Sequence, residues 1–180
     1  MLLTLTPHPQ TPCDAVSALT VEVTRPRSTG LRLHYRLEGD IPRLVVPAWV
    51  KPSRADELWR TTCFEAFVRS GEGKGYYEFN LSPSGRWRAY SFDDYRQGMM
   101  DHAGVELRDQ HKHVGDDRVE LAATLDLDRL GLGADAVWRL GLSTVIEEAS
   151  GRMSYWALAH APGKPDFHHP DAFAFDLEPA

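Results

Sequence analysis

The stretch from Thr61 to Arg96, TTCFEAFVRSGEGKGYYEFNLSPSGRWRAYSFDDYR, alternates apolar and polar residues in three runs. GEGKG and SPSG interrupt it, so it predicts a three-stranded antiparallel meander. Period two puts Glu65, Glu78, Asn80 and Arg88 on one face and Phe64, Tyr77, Phe79 and Trp87 on the other. SPSG sets Pro83 in a type I turn and Gly85 at the left-handed bulge position of a three-residue hairpin loop. Pairing Ser82 with Arg86 then places Asn80 opposite Arg88, Glu78 opposite Tyr90, Leu81 opposite Trp87 and Phe79 opposite Ala89. A shift by one residue would drive Trp87 against Asn80 and set arginines beside Leu81 and Phe79, losing burial at every pair. If the preceding hairpin pairs Glu65 with Asn80, then Glu65, Asn80 and Arg88 form a row across three strands, with Glu78 diagonal to Arg88.

The rest of the chain reads the same way. Ala18–Thr24 with Leu31–Leu37, Val105–Arg108 with Val119–Leu125, and Val137–Glu147 with Met153–His160 are expected strand pairs, the second linked by polar HKHVGDD. Ala172–Leu177 is a last strand. LVVPAWVKP, broken by Pro47 and Pro52, is at most a short edge strand. Ser53 with Asp56 resembles an N-cap opening one helical turn, closed by Trp59, and LDLDRLGLG is a brief turn ended by glycine. With about nine to eleven short strands, the expectation is an all-β antiparallel sandwich with short helical turns. Its 180 residues form a single domain over 1–180, with 1–16 an irregular N-terminal arm.

A net charge of -6 gives no basic stripe for phosphates, so nucleic acid is a poor partner, and so is an anionic membrane surface. MLLTLTPHPQ lacks a basic n-region and an apolar h-region, and no segment has the roughly 18 apolar residues of a spanning helix. The expected compartment is the cytoplasm. Cys13, in the arm, and Cys63, in a strand, are expected to be free thiols.

Enzyme motifs are not found. GEGKG lacks the GK[ST] ending of a phosphate loop, no G-x-S-x-G elbow occurs, and Cys63 beside Phe64 reads as buried rather than activated. Glu65 and Glu78 have the chemistry of a glycosidase pair, but carboxylates beside an arginine on a strand face are more often ion-paired. His160, Asp166, His168 and His169 fit no standard zinc spacing, and adjacent His168 and His169 would point opposite ways in extended chain. GKPDFHHP is therefore read as a loop whose Phe167 packs down while its imidazoles meet water or cap backbone groups. Trp87 and Trp138 fall on apolar faces and are assigned to the core.

Leu58-Trp59, Cys63-Phe64-Glu65, Tyr76-Tyr77-Glu78-Phe79-Asn80, Ser82-Pro83-Ser84-Gly85, Trp87, Tyr90, Tyr95-Arg96 and Gly98-Met99 occur in an order that resembles the bacterial DOMON-like proteins. YWALAHAPGKPDFHHPDAF, residues 155–173, strengthens the likeness. That superfamily includes the family-nine carbohydrate-binding modules of xylanases and the DOMON cytochrome domains. The resemblance implies an immunoglobulin-like β-sandwich that binds a small ligand, with sugars or haem as the ligands known in the superfamily.

Together these readings lead to a non-catalytic module for a sugar or glycan fragment. Glu65, Glu78, Asn80 and Arg88 supply the polar contacts, and Trp59, Trp156, Tyr76 and Tyr90 are candidate stacking platforms. No cofactor is expected. The alternative is a haem b or electron-transfer domain using Met99 or Met100 with His160, and a third reading is a protein-interaction module with no small ligand.

Overall fold

Each long strand carries apolar residues at alternate positions, which requires two sheets packed face to face. A computed structural model describes residues 1–71 and 73–180; Glu72, in the GEGKG turn, lies outside them. The strands are β1 (Leu2–Thr4), β2 (Thr6–Pro7), β3 (Val16–Thr24), β4 (Gly30–Gly39), β5 (Ser53–Arg54), β6 (Cys63–Ser70) and β7 (Tyr76–Leu81). They continue with β8 (Arg86–Phe92), β9 (Met100–Asp101), β10 (Glu106–Val114), β11 (Arg118–Asp126), β12 (Trp138–Glu147), β13 (Met153–Ala157) and β14 (Phe175–Leu177). One sheet runs β1-β3-β4-β11-β10. The other runs β2-β13-β12-β6-β7-β8-β5, with β14 beside β12 and β9 beside β8. The chain is thus an all-β sandwich.

The main core lies between the sheets. Leu19, Val21, Leu33, Tyr35, Leu121 and Leu125 meet Phe64, Phe79, Leu81, Trp87, Trp138 and Leu142, all buried. A fully buried Leu or Phe contributes roughly 1.5–3 kcal/mol, so this inner face fixes the register. The register around SPSG has Leu81 opposite Trp87, Asn80 opposite Arg88, Glu78 opposite Tyr90 and Glu65 opposite Asn80, as expected. Gly85, at φ 88°, donates from its N–H to the Ser82 carbonyl at 3.0 Å and closes the turn.

Several expectations are corrected. Fourteen strands form among the described residues, more than nine to eleven, because five of them are only two or three residues long. The arm 1–16 is not irregular: β1 joins β3 and β2 joins β13, with Leu5 buried between them. The prolines at 7, 9 and 12 masked this short alternation. Cys13 is accordingly buried, not in a flexible arm. Ser53 caps no helix; it lies in β5, which pairs with β8 in parallel, and the helical turn is Leu58–Arg60, entered from Glu57. HKHVGDD is mostly strand, since β10 runs to Val114. It is a sheet edge, where charged side chains keep the edge soluble.

Candidate functional site

The outer face of the larger sheet is not a solvated ladder. Phe67, Tyr76, Tyr90, Phe92, Val145 and Phe173 point outward with Glu65 and Glu78 and form a second apolar cluster, covered by Phe167. Where this cover is incomplete, a cleft of about 320 Å³ opens. Glu65 and Glu78 line it from β6 and β7, and Phe92, Val145 and Tyr155 line it from β8, β12 and β13. Trp59 of the Leu58–Arg60 turn, Arg96 and Met99 of the loop after β8, and Pro165, Phe167 and His168 of the loop after β13 complete the walls.

Hydrogen bonds anchor those loops. Asp166 Oδ1 accepts from the His168 N–H at 3.1 Å and pairs with Arg96 Nη2 at 2.8 Å, while Oδ2 accepts from Tyr95 at 2.5 Å. Burial pushes the Asp166 carboxyl up, but the bonds from Tyr95 and Arg96 outweigh it and hold the group below its ordinary range. Among the described residues, Glu57 and Arg96 are the non-glycine residues with positive φ, 55° and 54°. One precedes the turn that carries Trp59 and the other lines the cleft, so backbone strain is stored at its rim.

The floor carries two buried carboxyl groups, Glu65 at 3% and Glu78 at 4% exposure. The fully buried Asn80 donates from Nδ2 to Glu78 Oε1 at 2.6 Å, and its Oδ1 lies 3.9 Å from the Cys63 thiol. Asn80 is thereby held as a donor to Glu78. Tyr35 reaches from β4 across the core and donates to the Glu65 backbone carbonyl at 2.6 Å. Glu65 Oε1 has no hydrogen-bond partner. Burial, reinforced by the neighbouring Glu78 and opposed by the Ser143 hydroxyl across from it on β12, pushes the Glu65 carboxyl well above its ordinary range. Burial also raises Glu78 to about 7, against the opposing effects of Asn80 and Arg96.

His168 is the further polar member. Its Nδ1 lies 2.8 Å from the Tyr76 hydroxyl, which already accepts the Arg96 backbone N–H at 3.2 Å. The tautomer in which Tyr76 donates to Nδ1 puts the ring hydrogen on Nε2, a nitrogen 3.8 Å from Glu78 Oε2. Burial, with the Arg96 charge, lowers His168 to about 4, so near neutrality it is a neutral donor.

The sequence candidates divide. Trp59, Glu65 and Glu78 line the cleft, and Tyr90 lies beneath Trp59, ring centroids 5.8 Å apart. Asn80 supports Glu78 but does not line the cleft. Arg88 is paired with Asp56 at 3.2 Å and Asp101 at 2.8 Å and does not line the cleft. Trp156 is corrected: it faces the main core, with its indole N–H on Ser154, and its neighbour Tyr155 faces the cleft. Tyr76 is buried against Phe92 and serves as support rather than as an open platform. Of the haem candidates, Met99 lines the cleft, Met100 lies exposed in β9, and His160 bonds the Thr6 carbonyl at 2.9 Å away from the lining. Met99 and His160 therefore do not line the same cleft. His169 caps the following turn by accepting from the Asp171 N–H, as expected, while His168 is half-buried and its ring bonds the Tyr76 hydroxyl. The expectation that both imidazoles meet water or cap backbone groups is corrected only in that a side chain, Tyr76, holds the His168 ring. Tyr76, Tyr90 and Phe92 share the parity of Glu78, the one signal that the outer face was partly apolar.

No family model matches the sequence, and no curated protein does. In three dimensions the chain is similar to a crystal structure from Bacteroides uniformis ATCC 8492 described as a "putative carbohydrate-binding protein". The TM-score is 0.68 with 13% identity, covering 100% of this chain and 86% of that one. At this identity the likeness is one of fold.

Proposed function

We propose that this protein binds a small polyhydroxylated ligand, a sugar or glycan fragment, in the cleft between Trp59 and Tyr155, without catalysing its conversion. The carrying observation is the contrast of surfaces: aromatic rings on the walls and, on the floor, a buried carboxyl oxygen of Glu65 that lacks a partner. Sugars present both complements, C–H faces for rings and hydroxyl donors for carboxyl oxygens. The DOMON-like sequence order and the description given to the Bacteroides protein support the same reading.

Thermal-shift and calorimetric titration against mono- and oligosaccharides tests it. A saturable rise in Tm, lost in Trp59→Ala while that variant stays folded, is the expected outcome. Failure of every sugar to shift the parent, or Trp59→Ala binding as the parent does, removes the reading.

A further inference from the structure

We propose that the ligand of this cleft bears a protonated amine, as an amino sugar does, and that its ammonium seats against Glu65 and Glu78 while the ring lies against Trp59 and Tyr155. This inference rests on the binding reading above and names the class of ligand within it.

The demand for donors is lopsided. Glu65 Oε1 is buried and makes no hydrogen bond, the Ser143 hydroxyl opposite it on β12 being the one donor that acts on this carboxyl group, and Glu78 Oε2 has only His168 Nε2 at 3.8 Å, too long for a hydrogen bond. An ammonium has three hydrogens and no acceptor, so it can serve both carboxyl groups at once. Arg96 supplies positive charge at the rim and acts on Glu78 from there, but its guanidinium is paired with Asp166 and does not bond either carboxyl group of the floor. The aromatic walls favour the same charge, because a cation is attracted to a ring face and an anion is not. A metal ion fits less well: no cluster of three His, Cys, Asp or Glu suited to a metal occurs among the described residues.

Charge balance makes the binding depend on pH. The titratable groups around the carboxyls are Cys63 on β6, Tyr76 on β7, Tyr90 on β8 and Tyr35 from the opposite sheet. Burial holds all four neutral near pH 7. Arg96 and His168 face Glu78 from the covering loops, and His168 is neutral there. Entry of a cation therefore expels whatever proton the two carboxyl groups retain. As pH falls through about 7, where Glu78 takes its proton, the amine must compete with that proton and affinity falls.

The test titrates the full chain with glucosamine, N-acetylglucosamine and glucose at about pH 8.5 and about pH 5.5, on either side of the Glu78 transition. Most of the glucosamine ammonium has given up its proton at the higher pH, so its concentration is counted as the ammonium form. The expected result at the higher pH is at least about tenfold tighter binding of glucosamine than of the two neutral sugars. The preference should shrink at the lower pH. Glu65→Gln, with Glu78→Gln as a second variant should the first fail to fold, should bring the ratio to within about twofold. Equal affinity for all three sugars at both pH values overturns the amine inference and leaves sugar binding standing. Binding of none of them overturns both.

Discussion

At the scale of single residues, Asn80 shows how a buried polar side chain in a strand can hold a neighbouring carboxyl group in place. It has 0% exposure and is held between the Cys63 thiol and the Glu78 carboxyl. Asn80→Ala removes a donor from a buried carboxyl group and should destabilise the fold by about 1–3 kcal/mol in urea titration. Glu78 and His168 set opposite pH dependences. Glu78 has its pKa raised from 4.5 to about 7, so the native state holds a proton that the unfolded chain releases, and stability is lost as pH rises through that window. His168 is lowered from 6.5 to about 4, so the unfolded chain binds the extra proton, and stability is gained as pH rises between those values. In the parent the two partly cancel. His168→Gln should therefore increase the excess of stability at about pH 5 over about pH 7.5 by roughly 2 kcal/mol, and Glu78→Gln should shift the same difference by a similar amount in the other direction. Urea midpoints of the three proteins at both pH values check the signs; movement of both variants in one direction would contradict this assignment of protons.

At the scale of elements, the β7–β8 hairpin was legible because its turn chemistry and its face alternation demand the same register. Gly85 is the turn's sharpest requirement: it has φ 88°, and a Cβ there would meet the Val50 carbonyl at 2.5 Å. Gly85→Ala should cost about 1 kcal/mol or more, read as a lower Tm. An unchanged Tm would mean that the 45–50 segment yields at no cost. Trp156 was misplaced and Tyr155 overlooked because placing a residue of β13 needs to know which parity faces inward. That parity is set by pairing with β12, where Trp156 lies opposite Thr144 and Tyr155 opposite Val145. His168 was illegible for a related reason. An irregular loop has no periodicity, and only the folded chain brings residue 168 to Tyr76, 92 positions away.

At the scale of the whole molecule, the larger sheet has two worked faces: one closes the sandwich, and the other holds a second cluster with a cleft in it. The main core and the cleft therefore lie on opposite faces of one sheet, joined where Tyr35 donates to the Glu65 backbone. Leu5 tests the separation. It lies between β1, on the smaller sheet, and β2, on the larger, at 1% exposure within the main core, so the N-terminal segment straps the two sheets together. Leu5→Ala should leave a cavity between the sheets and cost about 2–5 kcal/mol. Leu5 does not line the cleft, so the stability difference between about pH 5 and about pH 7.5 should stay within roughly 0.5 kcal/mol of the parent's, as independent sites add. A larger change in that difference would mean that the strap transmits to the carboxyl pair, and that the two faces of the sheet act as one unit.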